Sequence, residues 1–339
     1  MPNSKRTGAG RIVAGLDEAG LGPLLGPLTI GFSALRVPEG CSPGAGLWKR
    51  LRRAVCDDPA RDEERLVVAD SKVVFTRNER GHARLEETAL AFLRLARNAQ
   101  PLERGLDLLG TLPQNSAASP RHPKRHPWYR KLPEQLPIWT AAESLELKTT
   151  RLGQVLRERE VELVAAGVRV VPAGELNESY ARTQSKGLTL WWKAAEWIEW
   201  LWESFPGESV SIVVDRHGGR THYAELLAQT FPFAAVDTLS EKDGRGHYRV
   251  RASGSEDREL ELLFRERAEE SSFAVALGSC LAKYAREVCM GAFNAYFAEL
   301  QPDLRPTAGY RTDGQRWLAD AEEAVRRADL DPGVLIRNR

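Results

Sequence analysis

The chain has 339 residues, 42% apolar and 28% charged, and its 48 basic and 47 acidic side chains leave a net charge of +1. That balance excludes wholesale disorder, and it excludes nucleic-acid binding by bulk charge, so any such binding must come from local basic groups. The length suits two domains, or one domain with insertions. The longest uncharged stretch, Ala19 to Leu35, is broken by Gly20, Gly22, Pro23, Gly26 and Pro27 and cannot make a clean membrane helix. Met1 to Arg6 lacks the apolar region of a signal peptide. Cys41, Cys56, Cys280 and Cys289 show no CxxC spacing. A cytoplasmic protein without a zinc ribbon or disulfide scaffold is therefore expected.

Arg11–Leu16 is a short apolar run stopping at Asp17, and Leu28–Val37 is another. The intervening AGLGPLLGP is turn chemistry, so the pair reads as two strands joined by a rigid, backbone-rich loop. Thr76 to about Ala96 carries Leu85, Ala89, Ala91, Leu93 and Leu95 at helical spacing. From about Asn98 to Glu160 prolines accumulate, and no acid occurs between Asp107 and Glu134. There Arg121, Lys124, Arg125, Arg130 and Lys131 surround Trp128 and Tyr129. The segment is either a solvated connector or inserted subdomain, or a clamp whose cations meet phosphates and whose aromatics stack on bases.

Thr189–Phe205 is the strongest helix, with Trp191, Ala194, Ala195, Ile198, Leu201, Trp202 and Phe205 on one face. Trp192, Trp197 and Trp200 fall off that face and are expected beneath the inserted segment. Val210–Val214 is a compact strand ending at Asp215, of the kind buried on both faces of a sheet. Phe233–Val236, His247–Ala252 and Leu260–Phe264 read as further strands, the last two antiparallel. Phe273–Leu300 is a long helix, and a final helix is expected around Asp313–Asp329 with Thr312 or Asp313 as its N-cap.

Four acids stand out. Asp17 and Glu18 close the first strand, Asp215 closes another, and Glu269, with Glu270 beside it, precedes the long helix. Carboxylates at strand ends facing one crevice suit hard divalent cations, and a two-metal phosphoryl-transfer site needs three or four of them to offset the ions' charge. Singly, each has a plainer role, because strand-end Asp residues cap turns and Glu at a helix start follows the macrodipole. His217 and His222, in RHGGRTH, read as loop residues rather than proton shuttles.

Asp17-Glu-Ala-Gly-Leu-Gly-Pro-Leu-Leu-Gly-Pro27 resembles the signature of the type 2 ribonuclease H family, matching it at Asp17, Glu18, Ala19, Gly20, Gly22, Pro23, Gly26 and Pro27. Asp70-Ser-Lys72, Gly174-Glu-Leu-Asn177 followed by VSIVVD, Ala268-Glu-Glu270 with Ser279-Cys-Leu-Ala-Lys283, and Gly309-Tyr-Arg-Thr312 resemble later blocks of that family, in order. The resemblance implies an α/β fold: a ribonuclease H-like mixed sheet flanked by helices, with inserted segments and a C-terminal helical part. The division it suggests is 1–97 for the N-terminal part of the core, 98–165 for a basic, proline-rich insertion, and 166–300 for the remaining core. A hairpin is inserted near 238–258, around Asp243-Gly244, and 301–339 forms the helical segment.

The implied activity is endonucleolytic hydrolysis of the RNA strand of RNA–DNA hybrids, or cutting at ribonucleotides embedded in DNA. Asp17, Glu18, Asp215 and Glu269 would hold two Mg²⁺ or Mn²⁺ ions, with Glu270 as fallback. Gly20, Leu21 and Gly22 would approach the minor groove, where the 2′-hydroxyl separates RNA from DNA. Tyr310 would lie against the ribose, while Lys72, Ser279 and Lys283 would meet phosphates. The partner is thus a nucleic-acid duplex, with no membrane, and the protein is expected as a monomer. Leu21 stands where the family carries Arg, Arg311 replaces a glycine, and 53 residues separate Asp215 from Glu269. These departures leave open a nuclease acting on DNA or structured RNA, or a nucleic-acid-binding protein that has lost turnover.

Overall fold

The structure, a computed structural model, describes residues 10–41, 46–62, 64–97, 101–110, 122–216, 219–242, 244–252 and 258–338. Arg121, His217 and Asp243, each named above, lie outside the described residues.

The chain runs β1 (Arg11–Ala19), β2 (Leu28–Val37), α1 (Gly46–Leu51), β3 (Val55–Cys56), β4 (Leu66–Val67), α2 (Ser71–Val74), α3 (Glu79–Leu95), α4 (His122–Arg125) and α5 (Ala142–Glu158). It continues through β5 (Glu162–Val171), α6 (Ala173–Thr183), α7 (Lys186–Ser204), β6 (Ser209–Asp215), α8 (Ala224–Thr230), β7 (Ala234–Lys242), β8 (Arg245–Ala252) and β9 (Glu259–Arg265). α9 (Phe273–Leu300), α10 (Arg311–Asp320), α11 (Glu322–Ala328) and α12 (Pro332–Leu335) complete it. Seven strands form one mixed sheet in the order β5-β2-β1-β6-β9-β8-β7, with β1, β6 and β9 parallel at its centre. β3 and β4 form a separate parallel pair. The expected mixed sheet flanked by helices is present. No helix among the described residues is long and apolar enough to cross a membrane.

Alternation along β1 decides which residues meet which helices. Ile12, Ala14 and Leu16 enter the cluster that also holds Trp191, Trp197, Ile198 and Leu201 of α7. The odd positions face α9, whose Ala274, Leu277 and Leu281 pack with Val13. α9 lies close because the sheet presents glycines to it: a Cβ on Gly31 would sit 1.9 Å from the Gly278 carbonyl oxygen. Backbone on both sides leaves nothing to yield. Gly31→Ala is therefore expected to cost about 3 kcal/mol or more in urea unfolding, whereas substitutions on exposed helix faces stay near zero.

Two expectations need correction, and one of the two alternatives for the segment 98–160 falls. Trp197 is fully buried and stacks on Phe32 of β2 at 4.1 Å, so the sheet covers it rather than the segment 98–165. Trp128 and Tyr129 are buried, with Trp128 against Phe293 and Phe297 of α9, so they are core residues and cannot stack on bases. Of the cations beside them, Arg125 pairs with Glu178 and Lys131 lies 2.6 Å from Glu299. The last predicted helix is two, broken at Ala321. The first starts at Arg311 with Tyr310 as N-cap, because Asp313 turns back to accept from Thr307 Oγ1 and Ala308 N.

The described residues of the segment 98–165 also share the main core. Leu102, Leu108, Leu132, Leu145 and Leu152 join the cluster around α3 and α9, and residue 165 falls inside β5, the edge strand.

Candidate active site

Asp17 and Asp215 follow directly on Leu16 and Val214, which are paired neighbours on parallel strands. Both therefore stand at the same end of the sheet. Both also occupy odd positions, on the face opposite Leu16 and Val214 and toward α9. Asp215 Oδ1 accepts from Ala268 N at 3.0 Å, which fastens the 3₁₀ turn Ala268–Glu270 across the strand end. Arg267, at φ 52°, turns the chain out of β9 into that turn. Of its two acids, Glu269 is 8% exposed, whereas Glu270 faces solvent and pairs with Arg267. Glu269 is thus the inward member.

The acids raise one another. Desolvation pushes the Asp17 carboxyl up to about 7, with Asp215 and Glu269 adding repulsion while a Ser279 hydrogen bond and the Glu18 backbone oppose it. Burial, then the charges of Asp17 and Asp215, hold Glu18 well above the usual carboxylate range. Burial also raises Asp215 and Glu269, and each feels Asp70 as a further negative neighbour. Lys72 acts in the opposite sense on Glu18, Asp215 and Glu269, and its side chain is otherwise solvent-exposed, with Nζ 3.7 Å from Asp70.

The predicted residues divide. Asp17, Glu18, Asp215, Glu269 and Lys72 lie within one electrostatic neighbourhood. Ser279 joins them in a different role: at 2% exposure it donates to Ser71 Oγ at 3.0 Å beside Asp17, so it is no open phosphate contact. Lys283 is ion-paired to Glu287 at 2.5 Å, and its Nζ lies 4.4 Å from the Phe75 ring centre. Tyr310 is half exposed, with the Arg286 guanidinium 5.6 Å from its ring. His222 bonds Glu241 at 2.7 Å on the hairpin, consistent with a loop role. Asp70 is the acid that sequence reasoning passed over, although its Asp-Ser-Lys block was in view. Its Oδ1 caps α2 by accepting from Lys72 N.

In the loop between β1 and β2 the glycines differ. Gly20, at φ 84°, has Arg286 2.2 Å from where a Cβ would be. Gly22 has nothing within 4 Å of that point and is exposed, so no protein contact requires a glycine there.

Among the described residues, no three acid, histidine or cysteine side chains converge tightly enough to grip an ion as they stand. The donor set nevertheless fits a hard divalent cation. It is all carboxylate oxygen, its members are raised by burial and mutual repulsion, and Glu269 Oε2 is buried without a hydrogen-bond partner.

The chain matches no family model and no curated protein sequence. Among solved structures it is similar to the PCNA:RNase HII complex from Archaeoglobus fulgidus (15% identity, TM-score 0.39, 96% of this chain and 93% of that one). It is also similar to the ribonuclease H2 of Pyrococcus horikoshii OT3 (16% identity, TM-score 0.40, 96% and 92% covered). A third similar structure is the Aquifex aeolicus RNase H3 (16% identity, TM-score 0.36, 96% and 71% covered).

Proposed function

We propose that the protein is a divalent-metal-dependent endonuclease that hydrolyses phosphodiesters beside ribonucleotides, in RNA–DNA hybrids or in DNA carrying embedded ribonucleotides. The observation that carries this reading is the gathering of Asp17, Glu18, Asp215 and Glu269 at one end of two parallel strands, with their charge uncompensated by buried cations. Two Mg²⁺ or Mn²⁺ ions held by these four carboxylates would supply an activated water and stabilise the charge on the leaving 3′-oxygen.

The remaining chemistry belongs to the chain. The Glu18 backbone N–H donates to Asp17 Oδ1 at 2.8 Å, and Asp215 holds the turn that aims Glu269 inward, so the acids are set before substrate arrives. Lys72, exposed beside them with its Nζ 3.7 Å from Asp70, suits a phosphate. Gly22 offers bare backbone to a minor groove, where the 2′-hydroxyl is accessible, and the half-exposed Tyr310 ring suits a ribose.

The test is cleavage of three end-labelled duplexes with Mg²⁺ or Mn²⁺: an RNA–DNA hybrid, DNA with one ribonucleotide, and all-DNA. Cutting only where ribose is present is expected. Equal cutting of all-DNA would keep the hydrolysis and reject ribose recognition, and binding without cutting would leave a protein that has lost turnover. Gly22→Ala adds a sharper check. Its stability should change by less than about 0.5 kcal/mol, while KM for the preferred duplex rises several-fold. A wild-type KM would remove Gly22 from the binding face.

A further inference from the structure

The loop between β1 and β2 is held from behind by distant segments. Leu24 N and Leu25 N both donate to the Gly309 carbonyl. Leu25 forms an antiparallel bridge with Ile336, and Arg337 N donates to Leu24 O at 3.0 Å. The Arg337 guanidinium then reaches under the loop, donating from Nη1 to Gly20 O at 2.6 Å and from Nη2 to Leu21 O at 2.9 Å. Asn177 of α6 anchors the same strap, donating to Gly333 O and Ile336 O and accepting from Asn338 N.

Arg337 is 3% exposed and Arg286, close by beneath Gly20, is 1% exposed. Among the described residues neither guanidinium pairs with a carboxylate; Arg286 Nη2 donates instead to Ala308 O at 3.0 Å. Two buried guanidiniums outside an ion pair are costly in a folded protein; Glu287 acts on Arg286, whereas the groups that Arg337 contacts directly are the carbonyls of the loop. That loop carries Leu21, so its own side chains bring no cation.

We propose that Arg337 is a positioning residue for the 20–26 loop, drawing the Gly20 and Leu21 carbonyls inward and lending the loop's outer face a positive potential for a substrate phosphodiester. The inference rests on the reading of the site given above. The inward carbonyls matter because an outward carbonyl would oppose a phosphate. A fork of two N–H donors holds two successive carbonyls in a way that a single ammonium cannot.

The experiment compares the full chain with Arg337→Gln and Arg337→Lys. Amide hydrogen exchange across the loop is read without nucleic acid. KM, kcat and the salt dependence of binding are read with the duplex that the wild type cleaves best, in Mn²⁺. Arg337→Gln should speed loop exchange and raise KM by about tenfold, with kcat within about threefold. The slope of log K against log salt should become shallower, by less than the unit that a direct phosphate contact contributes. Arg337→Lys should recover part of the KM while leaving the loop faster than wild type.

Wild-type exchange, or wild-type KM, in folded Arg337→Gln overturns the proposal. Should that variant fail to fold, Arg337→Lys decides alone: faster exchange with intermediate KM supports it, and wild-type values in either overturn it. If the loop loosens as expected but the wild type cleaves no ribose-containing duplex, the reading of the site fails while the hold of Arg337 on the loop stands.

Discussion

Asp17→Asn is expected to lower divalent-dependent cleavage about a thousandfold or more and, in the same protein without metal, to raise the thermal midpoint. On the proposed reading, the loss follows from removing one of the few groups that would offset the charge of two ions, which is worth several kcal/mol at the transition state. The gain follows from burial. Asp17 is half-buried, crowded by Asp215 and Glu269, and its carboxyl is pushed up to about 7. Above that pH the metal-free protein carries a charge in a site that disfavours it, at a cost of roughly 2–4 kcal/mol. Asn keeps the shape and removes the charge. Activity assays and thermal unfolding of the same preparations check both halves. A variant that is both inactive and less stable would point to misfolding instead.

Metal and pH should then trade against each other. The ordinary value for Asp17 is 3.8 and the folded value is about 7. At low pH the proton is bound in both folded and unfolded chains, so the group costs nothing. As pH rises through this window the unfolded chain ionises first, and the metal-free fold loses stability progressively until the pH passes about 7. Glu18, Asp215 and Glu269 are raised in the same sense. The gap in thermal midpoint between Asp17→Asn and the wild type should therefore widen from pH 4 to pH 7. Millimolar Mn²⁺ at pH 8 should close it by stabilising the wild type alone. A gap independent of pH, or equal stabilisation of both proteins by Mn²⁺, would remove Asp17 from the cation site.

What the sequence made legible was local. The end of β6 was readable because its apolar run stops at Asp215, and α9 has the bounds its apolar pattern predicts, whereas β1 runs past Asp17 to Ala19 because β2 stays paired with it there. Trp197 was misplaced because a helical wheel assumes one covered face, whereas Phe32 of β2 reaches round to stack on it. Trp128 and Tyr129 sat among cations and prolines, a context that gave no hint of their cover on α9, more than 150 positions later. Asp70 was read as part of a motif, and its charge toward Asp215 and Glu269 became visible only when α2 was placed against α9. Arg286 and Arg337 carry no periodic or motif signal at all. Their importance lies entirely in what they touch, and Arg337 joins residues 317 and 316 positions apart.

The strap that fastens the glycine loop also sets when the site can exist during synthesis. Residues 17–22 leave the ribosome early, yet Asp215, Glu269, Gly309 and Arg337 must all follow before the loop has its backing. At ordinary elongation rates of about 5–20 residues per second, that interval lasts on the order of tens of seconds. Throughout it the nascent chain carries its first two acids unassembled.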